Sequence, residues 1–206
     1  MVWGVLAFQL LLSACSLTKY VPKEKYLLDE LHIVTDNKEV KPSSLNLYVR
    51  QTPNAKWFSL VKTQLYIYNL SGRDSTKWVN RALRRLGDEP VIYDELEDER
   101  TRQEIKKAVQ NMGYMGAEVE SERKVSKRKI KLTYYIKTGR PYRINSLKYD
   151  IRDNQIAERL RDDSLSLLHD EMLFDINLLD AERQRIVSLL RDKGYYKFNK
   201  ILFVSQ

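Results

Sequence analysis

A single cysteine, Cys15, is the only thiol in this chain of 206 residues, so no intramolecular disulfide can form and stability must come from packed cores. Histidine is nearly as scarce. His32 and His169 stand apart, with no cysteine or carboxylate at metal-ligand spacing, so no metal site and no catalytic histidine is expected. The sequence has no glycine-rich phosphate loop and no nucleophile elbow, which removes the commonest signs of phosphoryl and acyl transfer. After residue 15 it also has no long apolar run, and therefore no second membrane span. Lysine and arginine are absent from Met1 to Leu12.

What the amino end does have is an eleven-residue apolar run, Val2 to Leu12, followed by Leu12-Ser13-Ala14-Cys15. The run is too short to span a bilayer, which takes about 20 apolar residues, and it has the length of a signal-peptide core. Small residues before a cysteine suit a lipobox, in which the thiol takes a diacylglycerol and the new amino terminus is then acylated. More than one acyl chain gives a stable anchor. Residues 1–14 are therefore read as a lipoprotein signal peptide, Cys15 as the lipidation site and 15–26 as a polar, lysine-bearing tether. An ordinary secretion signal with a chance cysteine, or a buried thiol after a misplaced start, is the alternative.

With 43% hydrophobic and 31% charged residues the body is globular, and 36 basic against 28 acidic residues give it a formal charge of +8. Such a surface suits phospholipid headgroups, nucleic acid or acidic partners, or is simply solvated. Arg102, Ile105, Val109, Gly113 and Tyr114 recur at one constant offset as Arg183, Ile186, Leu190, Gly194 and Tyr195. Each set lies on a pattern of helical period, with Ile105, Ala108, Val109 and Met112 in one copy and Leu179, Ile186, Leu189 and Leu190 in the other. Gly113 and Gly194 supply left-handed stops. Asn177 is read as the cap of the second helix, and acids from Asp94 to Glu99 collect at the start of the first, as a helix dipole favours.

After each glycine the period becomes two. Ala117, Val119 and Ser121 alternate with charges, Val125-Ser126-Lys127 makes a hairpin connection, and Ile130, Leu132, Tyr134 and Ile136 follow. The second copy offers Phe198 to Val204. Upstream strands are expected at Leu31 to Thr35 and over Ile144, Leu147, Tyr149 and Ile151. Short helices follow them, one from Ser43 or Ser44 to Arg50 and one over Asp153 to Leu160 capped by Asp153 or Asn154. The class is α+β, with two units of strand, helix, helix, strand, strand. The first occupies 27–139 with an insertion at about 52–91 that holds a helix from Ser75 to Leu86, and the second occupies 140–206 and is incomplete.

That order, repeated behind a signal sequence, resembles the POTRA (polypeptide-transport-associated) domain. Lys137-Thr138-Gly139-Arg140-Pro141-Tyr142-Arg143-Ile144, Gly87-Asp88-Glu89-Pro90-Val91 and the two Gly-Tyr pairs are similar to the periplasmic arm of BamA/TamA-like outer-membrane assembly proteins, in particular a lipidated TamA-like branch. The family's arm precedes a membrane barrel, and none of that barrel is in this sequence. The resemblance implies a non-enzymatic receptor, lipid-anchored at the outer membrane with its body in the periplasm. It would bind unfolded outer-membrane proteins or envelope assembly subunits, with no cofactor and no nucleic acid. Ser16 after the cysteine fits outer-membrane sorting in such proteins.

It further implies that the strand after the second helix is the exposed edge to which clients add a strand. Here that means Gly116, Ala117, Glu118, Val119 and Glu120, and in the second unit Lys197, Phe198, Asn199, Lys200 and Ile201. Charges at Glu118, Glu120, Glu122, Lys197 and Lys200 would deter aggregation of such edges. Gly139, Arg140, Pro141 and Tyr142 would form the inter-domain hinge. Two other readings stay open: an independent structural or adhesive envelope lipoprotein, and a basic nucleic-acid binder that stacks bases on some of its 13 tyrosines.

Overall fold

The computed structural model describes residues 17–56, 61–161 and 165–198. Cys15, the expected lipidation residue, and Asn199, Lys200 and Ile201 of the expected second edge, lie outside them. The described chain is α+β and divides into two compact units. One comprises residues up to Ile105 with Val119–Ile136, the other Lys106–Glu118 with residues from Lys137 onward, so the division falls within one helix.

In the first unit β1 (Leu27–Thr35) is followed by the short helix α1 (Pro42–Leu45), which tightens into a 3-10 turn at Asn46–Tyr48, and by the helices α2 (Thr63–Leu70) and α3 (Trp78–Leu86). Helix α4 (Glu95–Asn111) then leads to β2 (Glu118–Ser126) and β3 (Lys129–Lys137). The sheet order is β1-β3-β2, with β1 and β3 parallel, so the last strand is central. Ile130, Leu132, Tyr134 and Ile136 alternate with exposed or half-buried residues along β3 and are buried, as the period-two pattern requires. The hairpin connection sits later than the sequence suggests. β2 runs through Ser126, and Lys127 and Arg128 form a two-residue turn with φ of 47° and 61°, the primed geometry that matches strand twist. Arg128 is held there because its guanidinium donates to the carbonyl oxygens of Val21, at 2.7 Å, and Pro22.

Strand β1 carries a bulge. Leu28 pairs with Ile130 and Glu30 with Lys131, leaving Asp29 as the extra residue. Partners in a parallel pair share a face, so Leu28 and Leu31 both point with Ile130 and Leu132 into the core although they are three residues apart. Leu27 and Glu30 point the other way. Leu27 is fully buried there, packed with Val21 and Leu65 and against Leu17. The segment read as a tether is thus docked from Leu17 to Val21. Lys19 Nζ donates to the carbonyls of Asn69 and Ser71 at 2.8 and 2.6 Å, and the Tyr20 hydroxyl donates to Ser71 O at 2.7 Å.

Helices α2 and α3 pack on one another. Gly87, which ends α3, comes so close to α2 that an added Cβ would lie 2.3 Å from Tyr68 N and 2.6 Å from Gln64 O. Close approach, not backbone conformation, is why glycine is needed at this position.

The second unit contains α5 (Asn154–Arg161), with its Asp153 cap, and α6 (Ile176–Asp192). The expected strand over Ile144–Ile151 does not form. Its entry is tied to residues 171–174, with Ile144 N donating to Met172 O and Phe174 N to Tyr142 O, both at 2.9 Å, and an isolated antiparallel bridge joins Arg143 and Leu173. Leu147 N then turns to the Asp170 side chain, and no described strand lies alongside. Tyr149, expected to face a core, is half exposed. A strand exists only with a neighbour to receive its hydrogen bonds, and none of the described residues supplies one here.

The internal repeat extends to individual hydrogen bonds. Helices α4 and α6 begin and end at the offset that relates Gly113 to Gly194. Gly113 N bonds Gln110 O, Tyr114 N bonds Val109 O and Ala117 N bonds Tyr114 O. The same three bonds recur from Gly194, Tyr195 and Phe198. Both glycines are left-handed, with φ of 95° and 97°, which gives two Schellman turns of one design. At the units' entrances Leu28 N bonds Val91 O and Tyr93 N bonds Tyr26 O, matching Ile144 to Met172 and Phe174 to Tyr142. Tyr26 lies much further from Tyr142 in sequence than Tyr93 does from Phe174, so between its paired segments the first unit holds a stretch that the second lacks.

Candidate functional site: the open sheet edge

Strand β2 bonds β3 on one side, and no strand lies on its other side among the described residues. Glu118 and Glu120 are exposed, while Val119 and Ser121 are half buried. The inner face is fixed to the start of α4. Ser121 Oγ donates to Asp98 Oδ2 at 3.2 Å, and Arg123 reaches Glu95 Oε1 at 2.8 Å and the Tyr93 hydroxyl at 3.2 Å. Tyr93 OH in turn donates to Asp98 at 2.8 Å. Burial, reinforced by the bond to Asp98, pushes the Tyr93 phenol up to about 12, and burial likewise raises that of Tyr134. Tyr93 stays neutral and donates to Asp98. The arrangement ties the inner face of β2 to α4, while β3 takes one margin of the strand and no described strand takes the other.

Gly116 and Ala117 precede the strand. Ala117 is buried and its N–H is taken by Tyr114 O, so the edge begins at Glu118. Their equivalents Lys197 and Phe198 sit in the same turn of the second unit. The opposite edge of the sheet, β1, is partly covered at its start, where Leu27 bridges Ile92 and Leu28 N donates to Val91 O. Of the residues expected to form the hinge, Gly139 is left-handed at φ 71°, and Tyr142 N donates to Gly113 O at 2.8 Å while its side chain is exposed.

The acidic run expected as a helix entrance is divided among several tasks. Asp94 caps α4, accepting from Leu96 N; Glu97 and Glu99 pair with Arg100 and Arg102; Asp98 turns inward. Glu182 was not legible as a buried group, yet it is enclosed and accepts from Leu167 N at 3.1 Å, Ser166 Oγ at 3.2 Å and Arg185 Nε at 2.8 Å. Burial opposes its ionisation, but the Arg185 and backbone bonds outweigh that and leave its carboxyl below the ordinary range. It lines a cleft with Tyr149, Leu160 and Leu168, and its satisfied bonds give it a structural role. The described residues contain no cluster of three or more metal-ligating side chains.

No family model and no curated protein matches this chain. Among solved structures, it is similar to POTRA domains 1 and 2 of the periplasmic domain of Omp85 from Anabaena, at 10% identity and a TM-score of 0.34, over 90% of this chain and 88% of that one. It is also similar to POTRA domains 3 to 5 of BamA from Haemophilus influenzae, at 14% identity and a TM-score of 0.30, over 86% and 90% of the two chains. The α+β class is set by the elements described above.

Proposed function

We propose that this chain is a POTRA-like, lipid-anchored periplasmic arm that receives unfolded outer-membrane polypeptides, or subunits of envelope assemblies, by strand addition at β2. The observation that carries the reading is an edge strand held rigid from within by Asp98, Arg123 and Tyr93 and open on its outer side. Backbone N–H and C=O groups on such an edge accept a partner strand of almost any sequence, which suits a receptor for varied clients. Glu118 and Glu120 keep the edge from pairing with its own copies. The unit of strand, paired helices and hairpin, with the hydrogen bonds of its helix end recurring at the same offset as the sequence, supports the POTRA-like reading. Cys15 supplies the anchor, and Gly139 to Tyr142 the joint between units.

A photo-crosslinking residue placed at Glu118 or Glu120 tests this with an unfolded outer-membrane β-barrel protein as client. Adducts are expected at both, fewer at Thr133 on the central strand, and fewer still when Val119→Pro weakens β2. Equal labelling at all three positions in a folded protein overturns the reading.

A further inference from the structure

Helix α3 presents a face that nothing in the described fold covers. Trp78, Val79 and Leu86 fall on one side of it and are 74%, 45% and 68% exposed, and no residue of the helix is buried. The opposite side is engaged. Arg84 donates to Gly72 O at 2.9 Å and lies over the Tyr20 ring at 5.4 Å, and Asn80 Oδ1 accepts from Gly72 N. Lys77, Arg81 and Arg85 are exposed beside the apolar face, and from Arg73 to Asp88 five basic side chains meet two acidic ones. An exposed apolar stripe flanked by arginines, with tryptophan at one end, has the make-up of a helix lying in a membrane interface.

Position favours a bilayer over a protein groove as its occupant. The segment Lys19–Val21 is fastened to the α2–α3 pair through the carbonyls of Asn69 and Ser71. Lys19 follows Cys15 by only four positions, and four extended residues reach at most about 14 Å. An acyl anchor at Cys15 therefore brings this helix pair to the membrane surface, where a weak interfacial contact becomes effective because it is intramolecular. We propose that α3 lies on an anionic phospholipid surface, with Trp78, Val79 and Leu86 at the headgroup boundary and Lys77, Arg81 and Arg85 among the phosphates. The additional stretch of the first unit then serves as a foot that orients the arm. The inference rests on the lipid-anchor reading for proximity, and on the helix itself for contact.

The test uses the chain from Cys15 onward, the mature form under the lipid-anchor reading, with Trp57→Phe leaving Trp78 as its only tryptophan, bound to phosphatidylglycerol vesicles and, separately, to phosphatidylcholine vesicles. Trp78 emission should shift to the blue and be quenched by brominated lipid in the anionic vesicles. In the same chain carrying Cys15→Ser and lacking residues 1–14, which has neither acyl chains nor the apolar run and must bind through α3, Arg81→Glu with Arg85→Glu should lower vesicle partitioning at least about tenfold. Trp78 as open to acrylamide on the anionic vesicles as in free solution overturns the proposal, even where Cys15 proves necessary for attachment. So does protection of Trp78 by self-association, shown by sedimentation equilibrium and relieved by Leu86→Ala. Membrane binding unaffected by Cys15→Ser, with Trp78 still quenched by lipid, removes the acyl anchor and leaves the helix contact standing.

Discussion

Asp94 and Asp175, which occupy equivalent places in the two copies of the repeat, make the same bond. Each carboxylate accepts the N–H two residues further on, Leu96 or Asn177, at 2.8 Å, and so closes the start of a seventeen-residue helix. Replacing either by alanine should cost about 1 kcal/mol of unfolding free energy. Asparagine should restore most of it. Chemical denaturation of the single variants measures both effects.

The glycines separate two reasons for having no side chain. Gly194 is left-handed and none of the described residues comes near its Cβ position, so Gly194→Ala should cost about 1–2 kcal/mol from backbone conformation. Gly87 has an ordinary φ of −99°, but its Cβ would overlap the backbone of α2. Gly87→Ala should therefore add about 1–3 kcal/mol of packing strain and loosen the α2–α3 pair. Hydrogen exchange at Tyr68 and Leu83 reports the loosening.

The bulge at Asp29 supports a buried ammonium. Lys62 is 4% exposed, donates to Asp29 O, and pairs with Asp29 Oδ1 at 2.9 Å. Burial lowers its pKa, and Asp29 opposes that shift. Asp29→Asn strands the charge and should cost about 3 kcal/mol. Lys62→Met should cost less, because Asp29 keeps solvent and Lys129 at 3.8 Å. Thermal unfolding of the two variants decides the order, and a more damaging Lys62→Met contradicts it.

Glu30 governs an acid-sensitive step. Lys131, Lys56 and His32 bond its carboxylate and hold its pKa well below the usual carboxylate range. A group depressed in this way contributes stability above its unfolded value of about 4.3 and loses that contribution as the pH falls toward the folded value. Unfolding free energy should therefore decline from about pH 5 downward, and Glu30→Gln should flatten the decline while lowering stability near neutrality. Urea titrations across that range provide the check.

Tyr20 and Arg84 hold the docked amino-terminal segment. Burial pushes the Tyr20 phenol up, yet its bond to Ser71 and the nearby Arg84 and Lys19 charges outweigh this and lower it overall. Arg84→Ala removes the cation over the ring and the donors to Gly72 and Arg73. Trypsin should then cut at Lys19 and Lys23 sooner than in the parent protein, with little change in the central strand.

Much of this architecture can be read from residue order. Periodicity gives α4, α6 and the buried face of β3, and Gly113 and Gly194 mark the helix ends because left-handed stops are local chemistry. Features that depend on a distant partner are not legible. Ile144 to Ile151 alternates as a strand would, but alternation cannot supply a neighbour. The cap Asp175 is displaced from the expected Asn177, although the repeat offset counted from Asp94 contained the answer. Asp29 reads as one more strand residue until the pairing with β3 exposes the bulge. At the candidate site, the outward charges of β2 are visible in the sequence. The anchoring of Ser121 and Arg123 to the start of α4 requires residues from separate elements to meet.

The central place of β3 sets a schedule for maturation. Leu27 pairs with Lys129, from the far end of the same unit, so the first strand made has no sheet to join until the hairpin has emerged. A chain made amino end first would meanwhile present β1 bare, and contacts of such long sequence separation form slowly. Closing the sheet around β3 is therefore the late, long-range step that the topology imposes on folding.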